Sequence, residues 1–178
     1  MMEISKDVGM VFQNFNLFPH KSVIENIIEG PMRVLKKSKE QSKSEAREIL
    51  SFLGLSEKED SYPHQLSGGQ KQRLSIARAI AKDPEIFVFD DSFSALDFKT
   101  DSKLREALAE NTENKTVIIV AQRISTILNA DKIIVLEDGK MVGMGTHEEL
   151  MENNETYRQI ALSQLSEEEL NKNEKGGK

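Results

Sequence analysis

The stretch Leu66-Ser67-Gly68-Gly69-Gln70-Lys71-Gln72-Arg73 decides how the rest of the chain is read. Two adjacent glycines at a helix start let a ligand approach the backbone closely. The first turn of such a helix offers N–H groups with no partner inside the helix, together with a partial positive charge. Ser67 adds a hydroxyl donor. This is the physics of a phosphate clamp; the plain alternative is a loop-to-helix junction with a glycine turn. The helix that follows is expected from about Gln70 to Lys82, with Leu74, Ala77, Ile80 and Ala81 inward.

Downstream, Ile86-Phe87-Val88-Phe89 is an unbroken apolar run that ends in Asp90-Asp91. Val117–Ala121 and Lys132–Leu136 are two more. Continuous apolar runs alternating with helical stretches predict a parallel sheet buried on both faces. A carboxylate at the end of a buried strand is a common holder of a magnesium–nucleotide. Strands also end in Asp at ordinary turns, so Asp90 gains its meaning from the short distance to the glycine pair. Asp138-Gly139 marks a hairpin turn into Met141–Gly145, and Thr146 with Glu149 caps a further helix.

Upstream, Val8–Phe12 reads as a strand end. Ser22 with Glu25 fits a capping box before Val23–Ile28, and Pro31 is expected to interrupt that helix. Ser42 with Glu45 is expected to start another, with Ala46, Ile49, Leu50 and Leu53 apolar and Gly54 as its C-cap. Ser56 to Gln65 reads as a loop. A length of 178 residues gives room for about one domain. The formal charge of −6 argues against a nucleic-acid or polybasic membrane surface. The absence of cysteine excludes disulfides and thiolate metal sites, and His20, His64 and His147 are too scattered for a metal cluster. No apolar run approaches the ~20 residues of a membrane span, and Met1 to Asp7 has no signal-peptide stretch.

Four motifs stand in one order: Val11-Phe12-Gln13, Leu66–Gln70, the apolar run into Asp90, and Ser94-Ala95-Leu96-Asp97. From about Val8 to Leu165 the chain resembles the nucleotide-binding domain of ABC transporters. The resemblance implies an α/β fold of the P-loop NTPase type, a mostly parallel sheet flanked by helices. It implies an inserted helical subdomain over about 20–65, the signature helix and core sheet over about 66–165, and a flexible charged tail over 166–178. By the same resemblance, Gln13 contacts Mg²⁺ and water and couples the site to a transmembrane partner. Asp90 is the metal-holding aspartate. Ser67, Gly68, Gly69 and Gln70 clamp the γ-phosphate of ATP held by the opposite subunit. Ser94, Ala95, Leu96 and Asp97 form the loop that crosses the dimer interface.

Departures from the family matter as much. No G-x-x-x-x-G-K-[ST] loop occurs in the 178 residues. The resemblance places that loop well upstream of Gln13, so the N-terminal strands and P-loop are expected to be missing rather than altered. Asp91 stands at the position of the catalytic glutamate, and is one methylene shorter. Gln122 stands at the position of the switch histidine, and can hydrogen-bond a phosphate but cannot carry a proton as imidazolium. That pairing resembles the degenerate site of heterodimeric exporters. The first part, to about Arg73, resembles polar amino-acid importer ATPases and the rest resembles an exporter, which raises the idea of a chimera joined near 66–73. Removal of the P-loop strand predicts two open strand edges, closed by direct pairing or by a borrowed strand.

The implied function is that of an ATP-binding subunit coupling ATP binding and hydrolysis at a domain-dimer interface to transport, with ATP and Mg²⁺ as cofactors. ATPase activity is not expected of the chain alone. A second ABC domain, in a homo- or heterodimer, and a transmembrane permease are the implied partners, and the implied place is cytoplasmic, at the inner face of the cell membrane. Two alternatives stand beside it: a non-enzymatic partner that donates its signature in trans, and a truncated or chimeric product without activity.

Overall fold

Val8–Val11 forms β1, Ile86–Asp90 forms β2 and Thr116–Val120 forms β3, hydrogen-bonded in that order and parallel throughout. Val11 lies opposite Phe89 and Asp90 opposite Val120. In this computed structural model, residues 7–91, 108 and 112–164 are described. The chain divides into two units, Met1–Val120 and Ala121–Lys178.

Parallel neighbours need a crossover, and the first unit makes the β1-to-β2 crossover from three helices: α1 (Val23–Arg33), α2 (Lys39–Phe52) and α3 (Gly68–Ala81). Their apolar faces meet over the sheet. Val23, Ile27, Leu50, Leu55, Leu74 and Ile76 are buried with Val11, Phe87 and Phe89 in one cluster. The rings of Phe87 and Phe89 stack on one face of β2 with centroids 6.0 Å apart.

Several local expectations are corrected. α1 runs through Pro31 to Arg33. A proline removes one i to i−4 bond, and here it falls in the last turn, where its buried ring still adds apolar surface and its carbonyl accepts from Leu35 N at 3.1 Å. α2 begins earlier than Ser42: Ser38 is its N-cap, accepting from Gln41 N, and Ser42 lies inside the helix, buried. Both serines sit before a polar residue three positions on, and the earlier one extends the helix by a turn. The stretch read as loop contains two single 3₁₀ turns, Ser56–Lys58 and Pro63–Gln65. Gly54 takes the left-handed φ of +63° that closes α2.

Burial on both faces of the sheet is not what the described residues show. β2 alternates, with Phe87 and Phe89 buried and its other positions half-buried. On β3, Val117, Ile118 and Val120 are 39%, 50% and 52% exposed. β3 has β2 as its strand neighbour, and the described helices of this unit cover the β1–β2 side.

In the second unit, β4 (Ile133–Glu137) and β5 (Lys140–Gly145) form an antiparallel hairpin. Its turn, Asp138-Gly139, has φ of 49° and 74°, the mirror-image turn that matches strand twist. Ile133 and Val135 pack with Leu150, Tyr157 and Ala161. Leu150 comes from α5 (His147–Asn153), which follows the one-turn α4 (Ile124–Ile127) in this unit and has the expected Thr146–Glu149 capping box. The Tyr157 hydroxyl lies 2.8 Å from His147 Nδ1, and burial raises its pKa.

Candidate functional site

The carboxyl ends of parallel strands are where α/β sheets bind ligands. β1 ends at Val11, and the chain turns at Gln13 and Asn14, both exposed. β2 ends at Asp90, and Asp91 follows with φ 44° and its N–H donating to Val120 O at 3.0 Å. Because Val11 is in register with Phe89, Gln13 and the two aspartates leave the sheet at the same carboxyl end. The structure thus brings three of the expected residues together.

The Gln13 turn is held from two sides. Phe15 and Asn16 are left-handed, with φ of 61° and 45°, a conformation that side-chain-bearing residues hold when their surroundings fix it. Asn26 of α1 is buried at 1% exposure. Its Oδ1 accepts from Phe18 N at 2.8 Å, and its Nδ2 donates to the carbonyls of Phe18, Lys21 and Ser22 at 3.1, 3.0 and 2.9 Å. From α3, Arg78 donates to Asn16 O at 2.5 Å and lies 4.7 Å from the Phe18 ring centroid. Burial lowers the pKa of Arg78 and that of Lys82, whose Nζ donates to Val8 O at 2.6 Å. Neither Asn26 nor Arg78 was singled out by sequence. The one available signal was a polar Asn inside the apolar run Val23-Ile24-Glu25-Asn26-Ile27-Ile28.

The signature forms a second cluster. Ser67 is the N-cap of α3: its Oγ accepts from Gln70 N at 3.3 Å, and Gln70 Oε1 accepts from Ser67 N at 2.9 Å. This cap places the helix start at Gly68, two residues before the expected Gln70. The N–H groups of Gly68 and Gly69 have no partner among the described residues, and a Cβ on Gly68 would meet open space. Arg78, where α3 reaches the Gln13 turn, is ten residues past Gly68, a rise of about 15 Å along the helix.

Gln122 belongs to the second unit. Its side chain is exposed and its carbonyl accepts from Gln164 Nε2 at 2.7 Å. Ser94, Ala95, Leu96 and Asp97 lie outside the described residues. Among the described residues no group of three or more His, Cys, Asp or Glu side chains could hold a metal ion unaided. Asp90 and Gln13, the two residues to which the resemblance gives the metal, stand at the carboxyl ends of neighbouring parallel strands. Beside the Gln13 turn lies a groove of about 360 Å³, walled by Met10, Phe12, Phe15, Gly30, Arg78 and Lys82.

The sequence profile of the ABC transporter family matches residues 1–94. The chain is 42% identical over 154 residues to the arginine transport ATP-binding protein ArgV of Corynebacterium glutamicum, covering 85% of this chain and 61% of that one. It is 43% identical over 158 residues to the L-cystine transport system ATP-binding protein TcyN of Escherichia coli, covering 88% and 63%. It therefore spans less than two thirds of the length of these curated relatives. Alignments of this length extend well past Arg73, so the likeness to importer ATPases continues into the second half. Among solved structures, the dimeric post-hydrolysis state of the ATP-binding cassette MJ0796 bound to ADP and Pi has a TM-score of 0.75 at 36% identity, covering 80% of this chain and 64% of that one. A bacterial Atm1-family ABC exporter with ATP bound has a TM-score of 0.78 at 28% identity, covering 88% and 28%. With the family profile matched over more than half of its length and relatives at 42% and 43% identity, the chain belongs to the ABC transporter family.

Proposed function

We propose that this chain is the ATP-binding part of an ABC transporter for amino acids, acting as one half of a dimer of such domains. The observation that carries the reading is the capped start of α3, where the N–H groups of Gly68 and Gly69 have no partner among the described residues and a Cβ on Gly68 would meet open space. Such a helix start recognises phosphate. It lies about 15 Å along α3 from Arg78, the helix's link to the turn bearing Gln13, which favours service to nucleotide held by the opposite domain. The curated relatives are transport ATP-binding proteins for arginine and L-cystine, and the MJ0796 cassette is a dimer.

Magnesium bound with ATP supplies charge neutralisation of the phosphates. Asp90 and the Gln13 amide are the groups of this chain that would hold it. Asp91 is placed to orient a water by accepting a hydrogen bond, and Gln122 offers an amide donor to a phosphate. The groove beside the Gln13 turn is the surface we assign to a transmembrane permease, with the chain at the inner face of the membrane. Among the described residues no helix is long and apolar enough to cross a membrane.

MgATP binding measured by calorimetry, with and without a competent ABC domain, tests the reading. Tighter nucleotide binding by that domain in the presence of this chain is expected, and loss of the effect on disrupting residues 67–69. A donor of the signature without hydrolysis of its own is the second reading, favoured by Asp91 and Gln122 at the positions where the resemblance puts the catalytic glutamate and the switch histidine. Tight binding of MgATP by the chain alone counts against that second reading.

A further inference from the structure

Two helices anchor the Gln13 turn, and one of them begins with the signature. Asn26 of α1 holds the turn at Phe18, whereas Arg78 of α3 holds it at Asn16 and at the face of the Phe18 ring. We propose that Arg78 is a positioning residue that ties the set of the Gln13 turn to the signature helix, so that phosphate at residues 67–69 and the placement of Gln13 are linked. The proposal rests on the reading of residues 67–69 as a nucleotide clamp.

The mechanical case is direct. α3 is a 14-residue helix closed at its start by the Ser67–Gln70 box. Its backbone hydrogen bonds make a rod that carries a displacement at Gly68 to Arg78 with little loss. At Arg78 the guanidinium makes two kinds of contact at once: a hydrogen bond to a carbonyl and a cation–π contact with a ring. Its planar fork suits that double role, whereas a lysine, with its compact head, reproduces the charge but not both contacts. The segment it holds has two consecutive left-handed residues, Phe15 and Asn16. Such a turn relaxes to other conformations when an anchor is lost. Release at Asn16 would leave the Asn26 anchor intact, so the turn would loosen while the fold persists.

The chain has no cysteine, so Asn14→Cys gives a single thiol in the exposed turn for a spin label. With Arg78 intact, addition of MgATP and a competent ABC domain is expected to change the label's mobility. In Arg78→Met the nucleotide-dependent complex forms but the mobility change is lost, and Arg78→Lys gives an intermediate response. In the chain alone, amide hydrogen exchange at Asn16, whose N–H donates to Asn14 O within the turn, is expected to be about tenfold faster in Arg78→Met. Should Arg78→Met fail to fold, the Arg78→Lys variant carries the same comparison. Exchange at the original rate, or a full mobility response without the guanidinium, overturns the proposal. So does a complex that forms with Arg78 intact while the label stays unchanged. If no variant forms a nucleotide-dependent complex, the clamp reading itself fails, and the exchange rates still decide whether Arg78 anchors the turn.

Discussion

Ser67 and Gln70 cap each other: the serine Oγ accepts from the glutamine N–H at 3.3 Å, and the glutamine Oε1 accepts from the serine N–H at 2.9 Å. Two of the donors at the start of α3 are thereby satisfied within the protein, and those of Gly68 and Gly69 have no partner among the described residues. The same four residues thus stabilise the helix and define where an anion would sit. Ser67→Ala removes one half of the box and is expected to cost about 1 kcal/mol. Urea denaturation followed by circular dichroism measures it; an unchanged midpoint would mean that Gln70 alone maintains the helix start.

Asn26→Asp separates packing from hydrogen bonding at the Gln13 turn. The substitution preserves shape and the bond from Phe18 N, but removes the donors to three carbonyls and sets a carboxylate against them. We expect a loss of about 3 kcal/mol at neutral pH. Burial beside those carbonyls raises the introduced carboxyl's pKa, so the loss should shrink below pH 5 as the group takes up a proton. Denaturation midpoints at pH 7 and pH 4.5 check both parts, and a deficit equal at the two values would argue against a buried charge as its cause.

Glu29 lies between Lys21 and Arg33, and its pKa is lowered first by the hydrogen bond from Lys21 and also by the charge of Arg33. A carboxyl depressed in the folded state contributes its stability above the unfolded value of about 4.3 and loses it as pH falls through the folded value. Glu29→Gln should therefore cost up to about 1 kcal/mol at pH 7, and less as the pH falls through the folded value. Parallel melting curves for the two proteins that fail to converge in acid would contradict the assignment.

Much of this was legible in the sequence because its signals were local. The Ser22 and Thr146 capping boxes, the Asp138-Gly139 turn and the strand ending at Asp90 all depend on residues within a few positions of each other, whereas the Ser67 box, equally local, was hidden by the glycine pair that it precedes. The register that sets Val11 against Phe89, and so Gln13 near Asp90, joins residues 78 positions apart and has no local mark. Arg78 escaped for the same reason: its partner Asn16 is 62 residues away. The choice between Ser38 and Ser42 as the start of α2 was decided by packing, because Ser42 is buried on the inner face of the helix. The exposure of β3 could not be read from Thr116-Val117-Ile118-Ile119-Val120, whose apolar run fits a covered strand.

Asp91 combines an unusual backbone with the expected catalytic position. Its φ of 44° is tolerated by Asp better than by Glu, which lacks a short side chain able to bond locally. Asp91→Glu should lower stability by about 1 kcal/mol, the lower end of the cost of a residue held in a sparsely populated backbone region. If the group orients water, the added methylene should also change hydrolysis in a complex with a competent ABC domain, by on the order of 10²-fold. Phosphate release and thermal melting read the two effects separately. A change in melting without a change in turnover would leave Asp91 with a backbone role only.

On the hairpin, Ile134 faces Met144 and Leu136 faces Met141 across the strands, and these four side chains are 54–67% exposed. The alternate positions Ile133 and Val135 are buried against α5 and Tyr157. An apolar face of this kind, with the similarly exposed β3, favours association through sheet surfaces and edges. Replacing Ile134 and Leu136 together by lysine leaves the buried face untouched, so the melting temperature should hold to within a few degrees. Self-association measured by light scattering over a concentration series should fall, because the lysines place charge where two apolar faces would meet. The positions alternate with the core by strand geometry, so the test isolates the exposed face from the fold. Association that continues unchanged would locate the contact elsewhere, with the β3 residues Val117, Ile118 and Val120 as the next to carry lysine.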